Sequence, residues 1–85
     1  MQIQMQRWLL EFPATMRKAA LMDDLTGANN AMLSLQEHYR SRSADERQTI
    51  FLSLARTILE DLDKDSHRKV EAFLLHVGLL QPQRV

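Results

Sequence analysis

The sequence predicts an all-α protein, a small antiparallel bundle of three to four helices forming a single domain. Three observations carry this expectation. Glycine and proline are scarce, two of each in 85 residues, so few positions interrupt a helix. Leu21, Leu25, Ala28, Met32, Leu35 and Tyr39 recur at steps of four and three, which lines them along one side of a helix, whereas a strand needs apolar residues at every second position. Ser43-Ala44-Asp45-Glu46 has the form of a capping box, in which the Ser43 hydroxyl accepts from the Glu46 N–H while the Glu46 side chain accepts from the Ser43 N–H.

The first helix is expected over residues 2–12, where Met1, Met5, Trp8 and Phe12 repeat the same spacing. Pro13 disfavours a helix interior and biases Phe12 away from helical angles. A break or sharp kink is therefore expected at Phe12–Pro13, with a second helix over 14–40. The weakest part of that helix is Asp23 to Asn30. Gly27 alone costs about 1 kcal/mol against alanine, and Asp24 or Thr26 would serve to cap a fresh start. The apolar seam keeps its phase across this stretch, which favours a continuous or gently kinked helix.

The third helix is expected over 44–62. Ile50, Phe51, Leu54, Ile58 and Leu62 form its stripe, widened by Ala55 and Leu59, a width suited to more than one neighbour. Glu60 and Lys64 are spaced as an i,i+4 ion pair. The second and third helices are expected to form the main hairpin. Asp63 to Ser66 reads as a turn, with Asp65 or Ser66 capping a fourth helix over 66–77. Val70, Phe73, Leu74 and Val77 give that helix its pattern. Gly78 suits a left-handed end, Leu79 can fold back on the last turn, and Pro82 prevents resumption. Residues 81–85 read as a frayed tail.

Composition narrows the function classes. No cysteine is present, so no disulfide staples the fold and no thiolate can bind zinc or attack a substrate. Eleven basic and eleven acidic residues cancel, so no strong overall field steers the chain to nucleic acid or an anionic membrane. No apolar run approaches the roughly 18 residues of a membrane span, and the start of the chain lacks the layout of a signal peptide. A cytoplasmic protein with no membrane association is expected.

The groupings able to carry chemistry are weak. Asp61, Asp63 and Asp65 match positions 1, 3 and 5 of a calcium loop, but Ser66 stands where the loop needs glycine and Ala72 where it needs its closing glutamate. Asp63, His67 and Glu71 would share a face only if one helix spanned all three. An exposed, ion-paired turn is the favoured reading of both sets, so no metal site and no cofactor are assigned. No nucleophile elbow, cysteine nucleophile or phosphate-cradling glycine loop is present, and no catalytic residue is assigned. His76 interrupts an apolar run and suits either the edge of a buried face or a cation near a helix C-terminus.

The apolar surplus is the more informative feature. All five methionines fall within the first 32 residues, alongside Trp8 and Phe12. Methionine adapts to irregular surfaces and tryptophan is frequent in interface hot spots. The expectation is a non-enzymatic protein-binding module, such as a small regulator, inhibitor, adaptor or chaperone, that buries a helix face on a protein partner and forms a homodimer. Trp8, Phe12, Met16, Met32, Leu35 and Tyr39 are the candidate contact residues, although for Trp8 and Phe12 packing in the protein's own core is the favoured role. The alternative is a small helical DNA-binding regulator in which Arg68 and Lys69 lead a reading helix. Against it stand Glu60, Asp61, Asp63 and Asp65 immediately before, and no aromatic residue interleaves with the basic ones.

Overall fold

The computed structural model describes residues 2–82, with side chains from residue 7 onward apart from Trp8. Among the described residues there are four α-helices: α1 (Gln2–Leu21), α2 (Leu25–His38), α3 (Ala44–Leu59) and α4 (Lys64–Val77). The bundle is all-α, as the apolar spacing predicts. Helix α1 lies at its centre and packs on the other three, while α4 packs on α2 and on α3. The hairpin expected between the second and third helices does not form, because among the described residues α2 and α3 do not meet. Each is instead held by α1 and α4.

Helix α1 runs through Pro13 without ending, so the break expected at Phe12–Pro13 is absent. An interior proline costs on the order of 3 kcal/mol. Continuing the helix keeps Phe12 and Met16 on the face that also carries Ala19 and Ala20, and all four are buried. Burying two large side chains at about 1.5–3 kcal/mol each is enough to outweigh the proline.

The real break is at residues 22–24, inside the stretch expected to be continuous. Asp23 takes a left-handed backbone conformation, φ 56°. Its N–H donates to the Ala20 carbonyl at 3.4 Å and the Asp24 N–H donates to the Ala19 carbonyl at 2.8 Å. That pair of bonds is a Schellman motif, with aspartate in the place glycine usually holds. Asp24 then caps α2, its Oδ1 accepting from the Gly27 N–H at 3.0 Å. The seam is therefore cut: Ala28, Met32, Leu35 and Tyr39 are buried, whereas Leu21 and Leu25 are 40% and 43% exposed.

Helix α3 begins as predicted. Both arms of the capping box are present at 3.2 Å, Glu46 N–H to Ser43 Oγ and Ser43 N–H to Glu46 Oε1. It ends at Leu59 rather than Leu62, since Glu60 is extended and Asp61 is left-handed, φ 62°. Glu60 and Lys64 thus lie on different elements and do not pair along one helix. Helix α4 starts two residues early, at Lys64, because Asp63 rather than Asp65 or Ser66 is its cap and accepts from the Ser66 N–H at 2.7 Å. That bond holds the exposed Asp63 carboxyl below the usual aspartate range. The end of α4 matches the sequence reading: Gly78 is left-handed, φ 93°, and Leu79 folds back to 1% exposure. Of the expected frayed tail, Val85 and its two predecessors lie outside the described residues.

Two basic side chains tie the helix ends together. Arg17 on α1 donates through Nε to the Ile58 carbonyl at 2.9 Å and through its terminal nitrogen to the Thr57 carbonyl at 3.1 Å. Lys69 on α4 donates to the Leu21 carbonyl at 3.2 Å and pairs with Asp23 at 3.3 Å. The C-termini of α1 and α3 therefore sit at the same end as the starts of α2 and α4, an up-down-up-down arrangement. A cation at a helix C-terminus satisfies orphan carbonyls and complements the helix dipole.

Candidate interaction groove

Five of the six contact residues suggested by the sequence lie in the core. Phe12, Met16, Met32 and Leu35 are at most 3% exposed and Tyr39 is 9% exposed. Phe12 thus takes the core role favoured for it, and Met16, Met32, Leu35 and Tyr39, suggested as part of a docking face, are enclosed by their own chain. Their apolar spacing marks the inward side of α1 and α2. The sixth, Trp8, lies outside the described side chains, as do Met1 and Met5.

The alternative nucleic-acid residues are also placed. Lys69 holds the α1–α2 joint as described, and Arg68 beside it is exposed. Arg40 and Arg42, a further pair of basic residues between α2 and α3, are matched within the chain, Arg40 by Glu37 at 3.3 Å and Arg42 by Glu46 at 3.8 Å. The acidic turn is occupied by capping, since Asp63 turns its carboxylate to Ser66. Among the described residues, no group of three or more histidine or carboxylate side chains is close enough to hold a metal ion.

The surface feature that remains is a groove of about 800 Å³ between α3 and α4, closed at one end by the segment after Gly78. Its apolar lining comes from Phe51, Leu52 and Leu59 on one side and Leu75, Leu79 and Leu80 on the other. Leu52 and Leu75 are 41% and 40% exposed. Both fall outside the stripes that pack inward, namely Ile50, Leu54, Ala55 and Ile58 on α3 and Val70, Phe73, Leu74 and Val77 on α4. Leucine out of phase with its helix's buried stripe is the signal by which the sequence marks this groove, and a reading fixed on the stripes passes over it.

Three ionisable side chains stand in the same groove, Arg56 from α3 and His67 and Glu71 from α4. None makes an ion pair or side-chain hydrogen bond with another described residue of the chain. The His67–Glu71 part of the metal grouping weighed from sequence is thus a polar edge on an apolar trough. A smaller cleft of about 440 Å³ separates α2 from α3 and is lined mainly by polar and charged residues, with Leu33 and Phe51 its apolar members. Leu21, Met22 and Leu25 make a small apolar corner at the α1–α2 joint, interrupted by Asp23.

No protein family, curated protein or solved structure matches this chain. No helix among the described residues is long and apolar enough to cross a membrane.

Proposed function

We propose that the protein is a non-enzymatic protein-binding module whose working surface is the α3/α4 groove. The observation that carries this reading is the pairing of Leu52 and Leu75, each about two-fifths exposed, along one trough with Phe51, Leu59 and Leu80. Leucines held open to water on rigid helices gain free energy when a partner covers them, at roughly 25 cal/mol per Å² of apolar surface. An open trough bounded by two helices suits an amphipathic helix laid along it. The module acts by occupancy: it covers an apolar helix on its partner and so blocks or stabilises that partner, as a small regulator, adaptor or chaperone does.

The test is site-specific photo-crosslinking in the native host. A photoreactive residue at Leu52 is expected to yield a discrete protein adduct that disappears when Leu75→Asp is added. The same residue at Lys18, exposed on α1, is expected to yield none. Equal labelling from both positions, or none from position 52, would overturn the reading.

A further inference from the structure

The geometry points to a second copy of this chain as the occupant of the groove, seated about a two-fold axis that passes between Arg56 and Glu71. The inference rests on the groove being a protein-binding surface and names what binds there. A two-fold interface is self-complementary: if residue i of one copy meets residue j of the other, then j also meets i. The groove carries one cation and one carboxylate of this kind, Arg56 on α3 and Glu71 on α4, beside the exposed leucines. Neither has an intramolecular side-chain partner among the described residues. A two-fold axis running along the groove between them sets each Arg56 against Glu71 of the other copy, so two ion pairs lie beside an apolar patch formed by Leu52 and Leu75 of both chains.

The formal net charge of the whole chain, +0 at pH 7, agrees with this occupant, since two copies approach without long-range repulsion. A partner of one charge sign would leave either Arg56 or Glu71 opposed by a like charge, whereas a second copy satisfies both.

Charge reversal tests the pairing. Light scattering of the wild-type chain at tens to hundreds of micromolar is expected to give twice the 9.9 kDa chain mass. Arg56→Glu alone, or Glu71→Arg alone, places like charges at both contacts and is expected to weaken association by about ten-fold or more. Mixing the two single variants one to one restores opposite charges at both contacts, and a mixed dimer is expected. The double variant Arg56→Glu/Glu71→Arg is expected to dimerise by itself. Far-UV circular dichroism of each single variant checks that the helices remain. A wild-type mass of one chain, single variants that associate like wild type, or a mixture that stays monomeric would overturn the inference. A monomer that still gives a Leu75-dependent adduct to a different protein at position 52 would remove the second copy and leave the groove's role standing. Loss of the adduct as well would remove both.

Discussion

Asp24 closes one helix and opens the next, with its backbone N–H committed to α1 and its carboxylate to α2. Gly27 leaves room for the carboxylate in its present rotamer, because a Cβ there would meet the Asp24 carboxylate and push it aside. Two opposing effects therefore meet at Gly27→Ala. Helix propensity favours alanine by about 1 kcal/mol, and displacing the cap costs about the same. Gly27→Ala is expected to change stability by no more than about 0.5 kcal/mol in the wild-type background, where these terms cancel. In an Asp24→Ala background, with no cap left to displace, it should stabilise by the full ~1 kcal/mol. Urea denaturation of the four proteins gives the coupling directly. An identical gain in both backgrounds would mean that the carboxylate does not need the space.

Asp63 is the second aspartate with a structural duty, and its charge matters. Hydrogen bonding to Ser66 lowers its pKa in the folded protein. A lowered folded value contributes stability above the ordinary aspartate pKa, and that contribution fades as pH falls through the folded value. The substitution Asp63→Asn keeps an acceptor at the cap and removes the titrating charge. The melting-temperature gap between wild type and Asp63→Asn is thus expected to be widest near neutral pH and to narrow on acidification towards about pH 3. A gap independent of pH would show that the carboxylate serves only as a neutral acceptor.

At the scale of the element, each helix end raises the question of what satisfies its unpaired carbonyls. The end of α4 is handled locally by Gly78 and Leu79, but that of α3 depends on a residue 41 positions away, Arg17. Replacing Arg17 by methionine keeps much of the aliphatic stem and removes the donors, and should cost about 1.5–3 kcal/mol, the usual range for a charged hydrogen bond. Lysine should recover part of that loss, since it restores the charge near the helix terminus but not the planar fork that reaches two carbonyls. Chemical denaturation distinguishes these cases. If all three proteins unfold at the same midpoint, Arg17 does not hold the end of α3.

The same contrast explains what the sequence discloses. The start of α3 is legible because Ser43 and Glu46 are three residues apart and need no other part of the fold. The stop at Gly78 is legible for the same reason. The passage of α1 through Pro13 is not, because it depends on Phe12 and Met16 finding a core. The break at Asp23 is visible as weak propensity, yet an apolar seam in constant phase argues against it. The seam cannot reveal that Leu21 and Leu25 face water at a corner. The end of α3 is hidden altogether, for no local signal foretells Arg17.

For the whole molecule, inside and outside are divided differently from what the apolar spacing suggests. The methionine-rich first half supplies Met16 and Met32 to the core, alongside Phe12, Leu35 and Tyr39. The groove lies in the second half, and its exposed leucines, Leu52 and Leu75, are ones that the helical stripes leave aside. Five of the six candidate contact residues therefore lie in the interior, while the kind of function they suggest is proposed instead for Leu52 and Leu75. Both placements follow from one packing choice: α1 takes the centre, and its neighbours keep one face for it and one for water.

The joint at residues 22–24 also constrains how this chain can vary. Because Asp24 is shared between two helices, the connection contains no slack. Adding or deleting one residue there would turn α2 by about 100° about its axis relative to α1, sending Ala28, Met32 and Leu35 away from the centre. The link over residues 40–42 is exposed and can lengthen without turning any buried face. Related chains would thus be expected to differ in length between α2 and α3 while keeping the α1–α2 corner at one fixed length, a rigid elbow beside an adjustable strap.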